Sequence, residues 1–344
     1  FSSRRRHTRY ADRSRGLGDV YKRQKLYWGL FPFFKYSIFH LSLGKRLEEW
    51  HPDAIHAHDL ATLPAAIKNA TKLNSKVIYD AHEMEQYRNP PLNTFQRKWV
   101  KHIERKYGKL ADQVITVSPP IAEFLQDELS KDIALIYNSP ELEKGESTSD
   151  IRADTGVDEN SPLLIYVGGI FINRGIEKLF EALVPLDDFH LALVGPARDS
   201  VIYDLIEYAK ELGVIDRVHI VNPVAAHLVV DYIKTADIGV YAIRNICKSY
   251  DYSMPNKLFE MTFAGLPIAV SNLSAVRAFL AETKNGITFD ETKTDDIEIS
   301  IRELWKNRNI FKLSSKRISQ IYDKYGWPVQ AERLVNIYSA LVEN

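Results

Sequence analysis

"SMPNKLFEMTFAGLPIAVSN", Ser253–Asn272, decides the fold. It reads as a helix opened by Pro255 and ended by Gly265 and Pro267. The apolar "LPIAVS" that follows reads as a buried strand. Residues 256 and 260 are four apart, and 257 and 260 three apart. Asn256, Lys257 and Glu260 therefore share one side of the first turns, and Leu258, Met261, Thr262 and Gly265 make the opposing, buried stripe. A helix start offers free N–H groups and a positive dipole end, which suit an anion. Lys257 adds a point charge, and an ionised Glu260 can accept both hydrogen bonds of a ribose diol. A capping pattern with surface charges would look the same, so the helix alone leaves both readings open.

Working outward, strand and helix alternate on both sides of this unit. "DAIHAH" (Asp53–His58), "KVIYDAH" (Lys76–His82), "QVITVS" (Gln113–Ser118) and "IALIYN" (Ile133–Asn138) read as strands separated by helical stretches. The polar, turn-rich Ser139–Pro162 reads as a linker with one short helix. The rhythm restarts with "LLIYVGG", "HLALVGP", "RVHIVNP", "IGVYAI" and "LPIAVS", and "NGITFD" adds a short strand. Helical stretches over Thr294–Trp305 and Gln330–Val342 close the chain, with "YGWP" between them. Two consecutive α/β domains with parallel sheets are predicted, with ligands in the crevice beyond the carboxyl ends of the strands.

Two more pieces fall at such strand ends. "YVGGIFINRGIEKLFEAL" (Tyr166–Leu183) runs from a strand into Gly168 and Gly169, then Arg174 and a helix. Glycines admit close backbone approach, and a helix start with an arginine suits a diphosphate. The stretch lacks the Gly-Lys-Ser/Thr of a P-loop and the spacing of GxGxxG, so an ordinary strand–helix turn reads equally well. "HAHD" supplies His56, His58 and Asp59, and "DAHE" supplies Asp80, His82 and Glu83. A zinc site is conceivable there, but no helix-borne HExxH accompanies it, and strand-end histidines are often structural. The chain contains no Asp-x-Asp, so a metal-chelating site for a nucleotide diphosphate is not supported.

Composition sets the outer bounds. The 344 residues are 45% hydrophobic with a formal net charge of zero, so no overall field favours nucleic acid. One cysteine, Cys247, excludes a disulfide framework and fits a reducing cytoplasm. The first 24 residues hold eight basic and two acidic side chains and resemble translated sequencing-adapter sequence; without them the chain has 37 basic and 43 acidic residues, a net charge of −6. Residues 1–24 are thus expected to be an artefactual or disordered leader. Lys25–Trp50 is aromatic-rich. It reads as a pair of core-facing helices, with a membrane-surface helix through Tyr27–Phe39 as the sharper alternative.

In combination and order, "PDAIHAHDLATLPAA", "KVIYDAHEM", "VITVSPPIAEFL", "YVGGIFINRGIEKLFEAL", "LVGP", "RVHIVNPV", "ADIGVYAIR" and "PNKLFEMTFAGLPIAVSN" resemble the retaining glycosyltransferases of family 4. The branch bearing "PNKLFE" is the most similar, and the resemblance runs from about Asp53 to the C-terminus. It implies the GT-B fold: an incomplete acceptor-side domain over residues 25–145, a donor-binding domain over 146–326, and a final helix, 327–344, crossing back to the first domain. It implies a nucleoside diphosphate sugar as donor, a glycan or lipid-linked acceptor, a cytoplasmic place, and neither cofactor, metal nor nucleic acid. The resemblance puts Glu260 at the second acid of the family's E-x7-E motif, on the donor ribose. Arg174 falls on the diphosphate-holding base, His82 on the histidine near the transferred sugar, and Gly168 and Gly169 on the diphosphate loop. Asn256, Lys257 and Leu258 would lie beside the donor. Three departures stand out. Tyr252 occupies the first acid's position, with Asp251 one place off; Gly169 replaces an arginine; and the family's opening strand and glycine loop have no counterpart before Lys25. A nucleotide-sugar epimerase, with Glu83 and Asp59 as acid–base groups, and a non-catalytic nucleotide-sugar-binding fragment are the alternatives.

Overall fold

The computed structural model describes residues 46–142, 149–171 and 174–343. The leader, most of the aromatic segment including Tyr27–Phe39, and the expected missing opening strand lie outside the described residues.

Two parallel sheets form. The first contains β1 (Ala54–His58), β2 (Lys76–Ala81), β3 (Gln113–Thr116) and β4 (Ile133–Leu135), paired in that order. Its crossovers are α1 (Asp59–Leu73), α2 (Thr94–Gly108) and α3 (Pro119–Leu129). Local chemistry fixes their ends. Asn93 and Gln96 form a reciprocal capping box at the start of α2. α3 starts on prolines whose missing N–H groups would be unpaired anyway.

After the short α4 (Ile151–Thr155) the second sheet runs through β5 (Leu163–Val167), α5 (Ile176–Leu183), β6 (His190–Val194), α6 (Asp199–Glu211) and β7 (Val218–Val221). It continues through α7 (Val229–Ile233), β8 (Ile238–Tyr241), α8 (Lys248–Asp251), α9 (Asn256–Phe263), β9 (Ile268–Ser271), α10 (Ser274–Thr283) and β10 (Gly286–Phe289). β5 and β9 are buried along their whole lengths, as strands covered on both faces must be. The spatial order is β10-β9-β8-β5-β6-β7. Strand order therefore reverses between β5 and β8, and a crevice opens at the carboxyl ends of such a pair.

The closing helices are α11 (Thr294–Lys306), α12 (Arg308–Phe311), α13 (Ser315–Tyr325) and α14 (Trp327–Val342). α13 falls in a stretch that the sequence left unassigned, and α14 begins earlier than Gln330. Leu334, Ile337, Tyr338 and Leu341 of α14 pack on Ile78, Ile115 and Ile136 of the first domain. The buried Gln330 accepts a hydrogen bond from the Tyr137 N–H at 3.1 Å. α14 thus returns the chain to the first domain and pins the segment that joins the two. Among the described residues, no helix is long and apolar enough to cross a membrane.

Candidate active site

A cavity of about 510 Å³ lies between the two domains. Its floor is the β5/β8 switch point, with Val167 and Gly168 after one strand and Tyr241 and Ile243 after the other. The first domain contributes His82 and Glu83; the second adds Arg174, Asn256, Lys257 and Glu260. Of the eight donor-site residues that the resemblance implied, His82, Gly168, Arg174, Asn256, Lys257 and Glu260 meet in one space; of the two acid–base candidates for epimerisation, Glu83 lines it and Asp59 does not. Two of the eight do not line it. The Gly169 carbonyl accepts a hydrogen bond from the Tyr166 hydroxyl at 3.0 Å. Leu258, 1% exposed, packs its side chain into the second-domain core, because it falls on the face of α9 opposite Asn256.

The glycines are needed for close approach. Gly168 has φ +114, and a Cβ there would lie 2.5 Å from Lys257 Cε. Gly175, which turns the chain into α5 with φ +74, would place a Cβ 1.8 Å from the Ala242 carbonyl oxygen. Only glycine lets the loop after β5 lie against α9 and β8 in these conformations.

The second-domain wall is charged and unpaired. Among the described residues, neither the Lys257 ammonium nor the Glu260 carboxylate makes a hydrogen bond or salt bridge, and no side chain caps α9. Lys257 Nζ lies 5.0 Å from the centroid of the Tyr241 ring. Burial pulls the Lys257 ammonium below its ordinary value; Glu260 opposes this shift and Arg174 reinforces it. Burial pushes the Glu260 carboxyl up, with Lys257 as a partial counterweight. Burial also pushes the Tyr241 phenol up, against the attraction of Arg174, which hydrogen-bonds it.

The first-domain wall is hydrogen-bonded throughout. Asp80 Oδ2 lies 3.2 Å from His56 Nε2, 3.1 Å from His58 Nδ1 and 3.0 Å from His82 Nε2. Burial raises the Asp80 carboxyl, but hydrogen bonds from His56 and His82 outweigh it and hold the group well below the carboxylate range. The hydrogen bond to Asp80 in turn raises His82, against burial. Glu83 is pushed up by burial and by the charges of Glu85 and Asp59. His56, His58 and Asp80 each offer a ligand atom within 4.8 Å of the others. However, the His56 and His58 rings are stacked, with centroids 4.4 Å apart and 18° between planes. Their Nε2 and Nδ1 nonetheless both face Asp80 Oδ2, which stands where the two rings converge.

The residue next to the missing first acid has another task. Asp251 accepts hydrogen bonds from Ser274 N at 2.9 Å and Ser274 Oγ at 2.8 Å, which ties it to the start of α10. Tyr252 packs against the first-domain core. Glu260 is therefore the acidic side chain that the second domain presents to the crevice. Three site features escaped the sequence reading. Tyr241 was visible only as an apolar strand residue, and Pro223 and Val224, which also line the crevice, only as the end of the strand stretch "RVHIVNPV". Tyr338, 282 positions from the His56 it touches, carried no local signal at all.

Similarity to known proteins fits this geometry. The sequence model for Glycosyltransferase Family 4 matches residues 1–144. An uncharacterised glycosyltransferase of Methanocaldococcus jannaschii is 24% identical over 314 residues, which is 85% of this chain and 76% of that protein. Sucrose-phosphate synthase from Thermosynechococcus elongatus superposes with a TM-score of 0.74 at 17% identity, over 88% of this chain and 77% of that one. HepE of Anabaena, solved in complex with UDP, gives 0.70 at 14% identity, over 87% and 82%. At these identities the structural likenesses establish the GT-B arrangement of two Rossmann-like domains. The model for the glycosyl transferases group 1 matches residues 147–324, just over half of the chain, and the protein belongs to that family.

Proposed function

We propose that the protein is a retaining glycosyltransferase that moves a sugar from a nucleoside diphosphate sugar to an acceptor hydroxyl. The observation that carries this is the second-domain wall, where a half-buried lysine and a half-buried glutamate stand at a helix start beside an arginine and a glycine loop, attracting each other but with no direct hydrogen bond or salt bridge among the described residues. Partly burying such charges without a direct hydrogen bond to either is costly, and a nucleotide diphosphate would supply those hydrogen bonds. Glu260 would accept from the ribose hydroxyls. Arg174, Lys257 and the start of α9 would neutralise the diphosphate without a metal ion. HepE, which shares the fold, binds UDP, and this supports a uridine nucleotide as the first to test.

In the proposed reaction the bond from the sugar's anomeric carbon to the diphosphate oxygen breaks and the acceptor oxygen bonds to the same face of that carbon. The acceptor's proton passes to the departing diphosphate. The transition state carries oxocarbenium character, and His82 faces the sugar from the opposite wall. Domain closure would keep water from the donor. A role in surface polysaccharide or glycolipid synthesis, with a lipid-linked acceptor at the membrane, belongs to the same proposal. One observation favours epimerisation of the nucleotide sugar instead: Glu83, with its carboxyl raised, lies in the same crevice. Product analysis without acceptor separates the two.

The test is a thermal-shift screen with UDP, GDP, ADP and their sugars, run beside Glu260→Ala. Ligand at 100 times its Kd stabilises by about 2.7 kcal/mol, which is roughly 5–10 °C for a domain of the second domain's size. A shift with one nucleotide, lost in Glu260→Ala, is expected. Folded protein that responds to none of them would overturn the donor site.

A further inference from the structure

The described crevice uses His82 but leaves unexplained why a buried chain of polar groups runs from it to the C-terminal helix. Tyr338 Oη lies 2.6 Å from His56 Nδ1; His56 Nε2 lies 3.2 Å from Asp80 Oδ2; and Asp80 Oδ2 lies 3.0 Å from His82 Nε2. The middle of the chain is shielded from solvent, with the His56 and Asp80 side chains 15% and 11% exposed. The His82 ring is 39% exposed and faces the cavity. Tyr338 is fixed by the packing of α14 on Ile78, Ile115 and Ile136.

With His56 neutral, one assignment of protons satisfies every link in this chain, and His58 Nδ1, 3.1 Å from Asp80 Oδ2 and 3.2 Å from His82 Nε2, is a further partner of both. An ionised Asp80 is acceptor-only, so His56 must carry its proton on Nε2 and donate it there. His56 Nδ1 is then the acceptor, and the Tyr338 hydroxyl donates to it. His82 likewise donates from Nε2 to Asp80, which leaves Nδ1 as the ring nitrogen available to a ligand. Buried polar groups linked in this way polarise one another and lock one geometry.

We propose that Tyr338, His56 and Asp80 are positioning residues that fix the ring orientation and the proton of His82, so that docking of the C-terminal helix sets the state of the histidine in the crevice. The proposal rests on the assignment of His82 to the site, and it reaches further, because it makes α14 part of the site's machinery. Other charged groups face His82. Asp59 at the start of α1 and Glu83 on its own loop both favour its charged form, and His58 Nδ1 lies 3.2 Å from its Nε2. Asp80 is the group in direct hydrogen-bond contact that carries a charge opposite to an imidazolium.

The test reads protons directly and needs neither donor nor acceptor. In the full chain labelled with ¹⁵N-histidine, NMR follows the tautomer of His56 and the titration of His82. Asp80→Asn keeps an acceptor of the same shape and removes the charge. It should lower the midpoint of His82 by about one pH unit or more, the effect expected for losing a neighbouring opposite charge. Tyr338→Phe should release His56 from its single Nε2–H tautomer and move His82 in the same direction by less. Circular dichroism confirms that each variant is folded; His56→Gln, whose amide can still donate to Asp80, replaces any that is not. A His82 midpoint unmoved by Asp80→Asn, or a His56 tautomer unmoved by Tyr338→Phe, would overturn the proposal. UDP binding through Glu260, measured on the same samples, reports separately on the donor site, so the two failures are distinguishable.

Discussion

The crevice has two walls built on opposite plans. At the ends of β1 and β2, Asp80 gathers hydrogen bonds from its histidines, and the His56 ring reaches on to Tyr338. At the start of α9, Lys257 and Glu260 make no hydrogen bond or salt bridge among the described residues, although burial shifts both. A wall that satisfies itself is preorganised and contributes to stability. One that leaves half-buried charges without direct hydrogen bonds is costly to the empty fold, and on the proposed function a ligand completes it. On the proposed function the difference divides the roles: the second domain binds and the first positions.

The sharpest way to break this comparison is to damage each wall in turn. Asp80→Ala leaves the His56 and His82 N–H groups without their acceptor. Leaving donors without their acceptor costs about 1–3 kcal/mol each when shielded, more for His56 than for the more exposed His82, to be read from urea unfolding. Glu260→Gln removes an unpaired charge, so the melting temperature should stay level or rise while nucleotide affinity falls by about 10–100-fold, the value of a hydrogen bond to a charged group. A fall in stability with Glu260→Gln, or none with Asp80→Ala, would erase the distinction.

A smaller effect sharpens it through pH. Beneath the first wall, Glu104 accepts hydrogen bonds from Tyr79 Oη at 2.9 Å and Gln86 Nε2 at 2.7 Å. Burial pushes its carboxyl up to about 7, although both hydrogen bonds oppose the shift. The folded state therefore binds a proton more tightly than the unfolded state. This contribution is fully present below the unfolded value near 4.5 and is lost as pH rises through about 7. Asp80 acts in the opposite sense, but its depressed value confines its effect to acid, where stability falls as pH drops. Between pH 5 and 8 stability should decline by roughly 1–3 kcal/mol for Glu104, and Glu104→Gln should flatten that slope. Gln86 can turn its amide to match the new side chain, so the variant should fold.

Most of this architecture was legible in the sequence because parallel α/β units write themselves locally. Fully buried strands read as apolar runs, and Gly168, Gly175, Pro255 and Gly265 mark the turns that their backbones require. The α9 face was legible for the same reason, since Asn256, Lys257 and Glu260 lie within two turns of helix. What the sequence hid depends on distance along the chain. Nothing near Tyr338 points to His56, 282 positions away. Leu258, named with its charged neighbours, packs its side chain into the core because helical periodicity sends it to the other face. The third helix of the C-terminal region, Ser315–Tyr325, was missed because seven of its 11 residues are Ser, Gln or charged and only Ile321 and Tyr325 are buried.

The smallest predicted effect lies where the walls meet. Lys248 Nζ is 4.9 Å from the centroid of Tyr252, 5.5 Å from Tyr87 and 5.6 Å from Phe124. Tyr87 and Phe124 belong to the first domain and meet edge to face, at 78°. Ser118 Oγ donates to the Tyr252 carbonyl at 2.5 Å, and the Met84 N–H donates to Ser249 Oγ at 3.2 Å. Position 252 thus holds an aromatic ring because it packs across the domain boundary, where an acid would bring a charge into an apolar contact. A cation over aromatic faces contributes about 1 kcal/mol when partly shielded, close to a fivefold change in an open-to-closed ratio. Lys248→Gln should therefore leave each domain folded, with melting little changed, and shift the population measured by small-angle scattering toward wider separation. Lys248→Arg, which keeps a cation over the rings, should not. If both variants scatter as the parent does, the aromatic cage only fills space, and other contacts, α14 among them, hold the domains together.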